Sequence, residues 1–142
     1  GVMLMHMQKD PQTMQFKPEY EDVVSEVNGF LVERCVALED EGIARERLAI
    51  DPGFGFGKTV IHNMQMLGAF AAFTQHGLPV LAGISRKSSL GEITGRKTEE
   101  RMVASVAGAL MAVERGAKIV RVHDVGPTVD ALKVWSAATQ SL

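Results

Sequence analysis

Apolar positions along this chain fall into two alternating spacings. Val23, Val24, Val27, Phe30, Leu31 and Leu38 fall on one face at helical period and predict a helix over 18–41, with Pro18 at its first position and Gly42 as its stop. Between such stretches lie short, mainly apolar runs of strand length: 2–7, then Leu48, Ala49 and Ile50, then 79–84 and 119–122. Ile61, Met64, Leu67, Ala71 and Phe73 predict a second helix over 59–76, closed by Gly77. Thr98 can cap a third, with Glu99 and Glu100 in its first turn where the helix dipole favours negative charge, and Gly116 ends it. Pro127 opens a last helix with Val129, Leu132, Val134 and Trp135, and Ser89 with Glu92 fits a capping box for a small extra turn after the third strand.

Strand and helix therefore alternate in units of roughly 30 to 40 residues, as in βα repeats on a parallel sheet. A doubly wound sheet gathers its ligand at one switch point, whereas a (β/α)8 barrel draws on the C-terminal ends of many strands. Polar residues follow every strand here: His6 and Gln8, Asp51, Ser85 with Arg86 and Lys87, and Arg121 with His123 and Asp124. That distribution predicts the barrel. A full barrel needs eight units and ~250 residues; this chain has 142 residues and about four units, and it starts inside a strand-like run. Residues 1–142 are therefore expected to be the C-terminal half of an α/β TIM barrel, with the N-terminal half absent.

Composition narrows the class. With 46% hydrophobic and 23% charged residues the chain has the composition of a globular domain able to build a core. A net charge of -2 supplies no overall attraction to nucleic acid or anionic membrane, so neither is an expected partner and any anion must be held by a local cluster. Cys35 is the only cysteine; it continues the apolar face of the first helix and reads as a small buried residue. The apolar run 2–7 lacks the basic flank of a signal peptide, and the run 102–113 falls short of the ~18 residues of a membrane span. A cytoplasmic protein is expected.

Candidate chemistry begins at 51–58, DPGFGFGK, where an apolar strand meets a carboxylate and then alternating glycines. Gly57, Lys58 and Thr59 match the end of a nucleotide-binding P-loop, but position 52, where its first glycine belongs, is proline, which has no N–H to offer a phosphate. Phe54 and Phe56 offer flat faces to an aromatic guest. If the strands are parallel, Asp51, Ser85, Arg86, Lys87, Arg121 and His123 gather at one mouth. Arg121 and His123, two apart, share a strand side, and with Lys87 they suit a phosphate or pyrophosphate. Met3, Met5 and Met7 share one strand face, with His6 a core or rim residue between them; His62 and His76 read as packing or surface residues. No spacing of His, Cys and carboxylates resembles a closed metal cage.

Four ordered segments, MHMQ at 5–8 with Asp10 and Pro11, DPGFGFGK at 51–58, GISRKS at 83–88 and RVHD at 121–124, resemble the bacterial dihydropteroate synthases, the sulfonamide-inhibited enzymes of folate biosynthesis. The resemblance spans nearly the whole chain. It implies a transferase that condenses p-aminobenzoate with a 6-hydroxymethyl-7,8-dihydropterin pyrophosphate to give 7,8-dihydropteroate and pyrophosphate. It also implies roles: Asp51, Lys87, Met5 and Gly83 for the pterin; Gly55, Phe56, Ser85 and Arg86 for p-aminobenzoate; Arg121 and His123 for pyrophosphate. Mg²⁺ is implied for the complete enzyme, with its Asn ligand, further pterin-binding Asp and Asn residues and two mobile loops in the other half-barrel and no metal ligand in this chain, so the isolated half is expected to be inactive. A homodimer through the last helices is implied too, and Ala104, Ala107 and Gly108 in 102–113 offer a low-profile face for it. The competing expectations are a non-catalytic half-barrel or assembly partner, and a pterin-dependent methyltransferase of similar fold.

Overall fold

The computed structural model describes residues 1–10, 12 and 17–140; Pro11, part of the first resembling segment, lies outside them. Strands β1 (Val2–Met5), β2 (Leu48–Asp51), β3 (Leu81–Ala82) and β4 (Ile119–Val120) alternate with helices α1 (Val23–Asp40), α2 (Val60–Gly68), α3 (Ser88–Thr94), α4 (Met102–Glu114) and α5 (Val125–Gln140). β1 pairs with β2 and β3 with β4, both parallel, with Met5 opposite Asp51 and Ala82 opposite Val120. A parallel bridge from Ile50 to Val80 joins the two pairs, and Ile50 N–H donates to the Pro79 carbonyl at 3.0 Å. The strands thus lie in the order β1-β2-β3-β4, each beside the next in sequence, which is the order of a barrel sector and not of a doubly wound sheet.

Period two assigns each strand's faces. Val2, Leu4, Leu48, Ile50, Val80, Ala82, Ile84 and Val120 pack into the core beneath the helices, so Met3, Met5, Ala49, Asp51, Leu81, Gly83, Ser85, Ile119, Arg121 and His123 take the opposite, concave face. That face is apolar at the strand starts and polar at their C-terminal ends. Burying an aliphatic or aromatic side chain is worth about 1.5–3 kcal/mol, and Val27, Leu31, Ile50, Met66, Phe70, Phe73 and Val80 are essentially sealed beneath the helices. Cys35 is buried, as its place on α1 predicts, and burial raises its thiol pKa.

Several elements differ from the sequence pattern. α1 begins five residues after Pro18, where Asp22 caps it by accepting from Ser25 N at 3.0 Å while Glu26 accepts from Asp22 N at 3.0 Å. The helix expected over 59–76 breaks after Gly68 into a 3-10 segment, Phe70–His76. Its buried face runs through Asn63, Met66, Leu67, Phe70 and Phe73, and Ile61 is 70% exposed. Thr98 does not cap the third main helix: it lies in a separate 3-10 turn, Thr98–Glu100, and α4 starts at Met102. Ser89 and Glu92 form no capping box, because Ser89 sits inside α3 and accepts a hydrogen bond from Asn63 instead. The third and fourth strands are shorter than their apolar runs, and the last helix starts at Val125 and leaves Val134 71% exposed. On α4, Gly108 faces inward against Ile84, where a Cβ would come within 2.9 Å of Cγ2. The exposed apolar positions are Met102, Val103, Ala107 and Met111, so the low-profile face expected from Ala104, Ala107 and Gly108 is split between inside and outside.

Candidate active site

Asp51 ends β2 on the concave face, 3% exposed, and its Oδ1 accepts from Gly53 N at 2.8 Å. Burial raises its carboxyl pKa, against the lowering pull of that hydrogen bond and of Arg121, Lys58 and Lys87. The chain then turns sharply through Gly53 at φ 75°, where a side chain would run into the His6 carbonyl, so only glycine fits. Asn63 on α2 holds the turn from below: Oδ1 accepts from Gly55 N at 2.9 Å, and Nδ2 donates to Thr59 O at 2.9 Å and Ser89 Oγ at 2.8 Å.

Lys58 closes the same loop from within. Its Nζ donates to the carbonyls of Gly53 at 2.8 Å and Phe56 at 3.0 Å and lies 2.9 Å from His6 Nδ1. The amine is 4% exposed; burial, partly offset by Asp51, lowers its pKa to about 7. His6 is held neutral at ordinary pH, its pKa lowered to about 4 by burial and then by Lys58. An amine so occupied has no N–H free for a phosphate, which disposes of the P-loop reading geometrically. The two phenylalanines also part company: Phe54 is a core residue stacked on Phe70 (6.2 Å, 6°), and only the partly exposed Phe56 is open to a guest.

The opposite wall comes from β3 and β4. Gly83 has no Cβ to meet the Arg121 guanidinium, whose Nη2 would lie 2.9 Å away, so Arg121 crosses the sheet over a gap that glycine leaves. Ser85 Oγ accepts from His123 N at 3.2 Å and stands 2.9 Å from His123 Nδ1. A hydroxyl that already accepts from the backbone can also donate to Nδ1, so Ser85 fixes the orientation of the imidazole. Lys87 lies over the Phe56 ring at 4.3 Å, its pKa lowered by burial and by Arg121 and partly restored by Asp51. Arg86 faces elsewhere, in a two-point pair with Asp124: Nη2 to Oδ1 at 2.7 Å and Nε to Oδ2 at 3.1 Å.

One buried carboxylate, two cations without an ion-pair partner among the described residues (Lys87 and Arg121), an imidazole and an aromatic face therefore share one mouth. Asp51 can accept from paired N–H groups of a heterocycle, and Arg121 with His123 can take a polyanion. Met5, opposite Asp51 in the register, supplies an apolar contact beside it. Among the described residues no three His, Cys, Asp or Glu side chains converge to hold a metal. The mouth's donors are mainly nitrogen cations, which do not suit Mg²⁺, an ion of oxygen ligands.

Residues 1–123 match the pterin binding enzyme family. The chain belongs to that family. The dihydropteroate synthase of Haemophilus influenzae is 51% identical over 140 residues, covering 99% of this chain and 51% of the relative. The dihydropteroate synthase of Stenotrophomonas maltophilia, solved with imidazole bound in its active site, superimposes with a TM-score of 0.95 at 59% identity, over 97% of this chain and 52% of that one. The Xanthomonas albilineans enzyme in complex with 7,8-dihydropteroate matches at a TM-score of 0.90 and 52% identity, over 97% and 50% of the two chains; the same enzyme has been solved with 4-aminobenzoic acid. The chain spans about half the length of the curated relatives it matches. The resemblance carried by the four motifs is borne out, and so is the fold class, half of a (β/α)8 barrel.

Sequence reasoning did not reach the contacts that hold this site together. Asn63 carries a weak signal, an amide among the apolar positions of its helix. Lys58 and His6 each lie in a resembling segment, but nothing in the sequence joins them, since 52 residues separate them. Tyr20, whose hydroxyl donates to the Gly57 carbonyl at 2.9 Å, went unremarked for the same reason.

Proposed function

We propose that this chain is the C-terminal half-barrel of a dihydropteroate synthase, which joins p-aminobenzoate to a 6-hydroxymethyl-7,8-dihydropterin pyrophosphate. The observation that carries the reading is the placement of the buried Asp51, the half-buried Lys87 and the exposed Arg121 around one mouth with the Phe56 face beside them. The ligands named for the Xanthomonas albilineans enzyme, 7,8-dihydropteroate and 4-aminobenzoic acid, support both substrate classes.

In this reading Asp51 accepts hydrogen bonds from the pterin's N–H edge, Lys87 donates to its carbonyl side, and Met5 and Gly83 border the ring. The amine sits against Gly55, Phe56 and Ser85, and Arg86 follows in the same turn. Arg121 and His123 hold the pyrophosphate. The reaction breaks the C–O bond between the pterin methylene and pyrophosphate and forms a C–N bond from the amine, whose surplus proton leaves to water. An aromatic amine is unprotonated at neutral pH and needs no strong base; the barrier lies in C–O cleavage, which Arg121 and His123 ease by stabilising charge on the leaving group. Mg²⁺, when bound with the pyrophosphate, would add positive charge there; its protein ligand is assigned to the other half of the barrel. Localisation in the cytoplasm is part of the same proposal; no helix among the described residues is long and apolar enough to cross a membrane. A homodimer completes it, with Val103, Ala107 and Met111 on α4 as the contact stripe.

The full-length protein is expected to form dihydropteroate and pyrophosphate in equal amounts from the two substrates, and residues 1–142 alone none. Failure of the full-length protein to release pyrophosphate on adding p-aminobenzoate would overturn the reading. Light scattering that gives a monomer at micromolar concentration would reject the dimer.

A further inference from the structure

Arg86 occupies the left-handed backbone region, φ 55°, which a non-glycine residue keeps only where its surroundings enforce it. Here they do. Its N–H donates to Ser105 Oγ at 2.9 Å, its carbonyl accepts from Arg101 Nη1 at 3.0 Å, and Ser105 Oγ donates onward to Arg101 O at 2.6 Å. Both backbone groups of the strained residue are thus anchored to the start of α4. The side chain is anchored as firmly on the other side, through the two-point pair with Asp124. Asp124 is itself tied to α5, its carbonyl accepting from Thr128 N at 3.2 Å and Thr128 Oγ1 at 2.8 Å.

Two rungs therefore connect the turn after β3 to the turn after β4: Ser85 with His123, and Arg86 with Asp124. The residues on either side of Arg86 are those the proposed function assigns to substrate, Ser85 to the amine and Lys87 to the pterin. A guanidinium matched on its Nε and Nη2 edge by a carboxylate is neutralised as a pair, and Asp124 at that place would repel a benzoate carboxylate.

We propose that Arg86 is a positioning residue: with Asp124 it forms a strut that sets the spacing of the two turns and so aligns Ser85, Lys87 and His123, without touching the aromatic amine. This rests on the reading of the site as a dihydropteroate synthase, and it redefines the part of Arg86 within that site.

The test is a double-mutant cycle in the full-length enzyme with Arg86→Gln, Asp124→Asn and the pair, read against p-aminobenzoate and against p-aminobenzamide, which lacks the carboxylate, as substrate or competitor. The strut predicts that either single change lowers kcat/KM at least tenfold, that the double variant is no worse than the poorer single, and that Arg86→Gln weakens acid and amide by the same factor. Asp124→Glu, which keeps the charge but lengthens the arm, is expected to lose activity as well, and it serves if the neutral variants do not fold. A loss confined to the carboxylate-bearing amine, or strictly additive losses, would overturn the proposal by placing Arg86 on substrate. Lowered melting temperature with unchanged kinetic constants would overturn it too, as the mark of a purely structural pair. A parent enzyme that makes no dihydropteroate would remove the functional reading instead; coupled melting temperatures across the same four proteins would still support the strut, and additive ones would reject it.

Discussion

The two walls of the mouth use the same kind of side chain in opposite ways. On the glycine loop, Lys58 turns inward, loses its water and is absorbed by two backbone carbonyls and an imidazole. Across the mouth, Arg121 lies exposed over Gly83, with no ion-pair partner among the described residues. One cation holds the loop and the other is available to an anion. The difference follows from what surrounds each charge: a tight turn offers carbonyls at close range, whereas a strand end with a glycine beneath it offers only space.

The largest effect should come from removing the inward cation. Lys58→Met leaves the Phe56 carbonyl unpaired and the Gly53 carbonyl with only its bond from Phe56 N, at about 1–3 kcal/mol, so the full-length protein is expected to lose roughly 2–12 °C in melting temperature. A loss under 2 °C would mean that the loop does not depend on Lys58 and would erase the contrast between the walls.

Asp51→Asn should separate stability from function. Replacing a charged acceptor at a paired contact is expected to reduce kcat/KM by about 10²-fold, while melting at neutral pH holds or rises. The sign follows from burial: the folded carboxyl titrates above its unfolded value, so ionising it opposes folding and an amide does not. A lower melting temperature with intact activity would assign Asp51 to the scaffold.

His6 sharpens the inward side of the comparison through pH. Its folded pKa of about 4 lies below the 6.5 of the free side chain, so the folded protein keeps the ring neutral where the unfolded chain takes up a proton. The contribution is complete above about pH 6.5 and is lost as pH falls toward 4, by about 2 kcal/mol at pH 5. Acid melting curves of the parent and His6→Gln should therefore converge as pH falls; parallel curves would show that His6 is not the group responsible.

On the outward wall the expected effects are smaller and functional. Arg121→Ala should weaken pyrophosphate binding about 10–30-fold, a loss of about 1.5–2 kcal/mol, with melting changed by less than a degree or two; competition by inorganic pyrophosphate measures it. Gly83→Ala, which crowds the guanidinium with a single methyl, should raise the KM for the pterin pyrophosphate several-fold and leave stability within about 0.5 kcal/mol. A Gly83→Ala variant as defective as Arg121→Ala would mean the guanidinium cannot shift aside.

Much of this is legible in the sequence. Period-two runs ending in Asp51, Ser85, Arg121 and His123 place those residues on one sheet face wherever the strands are parallel, because alternation is a property of the extended backbone itself. Helix boundaries were less legible. Pro18, Thr98 and the pair of Ser89 with Glu92 all have acceptable capping chemistry, but Asp22 with Glu26, the 3-10 turn at Thr98–Glu100 and the Asn63 bond to Ser89 satisfied the local groups first. Ile61 and Val134 were expected inside and lie outside, since periodicity names a stripe but not which edge of it meets the sheet.

By itself, then, the sequence determined the alternation of strand and helix, the face on which the polar strand ends fall and the family the motifs resemble, because these depend on local backbone geometry and on residue order. Tertiary structure decided the fate of each charge. Lys58, Arg86 and Arg121 are three basic residues beside candidate motifs and look alike in the sequence. Folding gives the first to carbonyls and His6, pairs the second with Asp124, and leaves the third open, because desolvation and partner distance exist only once segments tens of residues apart have packed together.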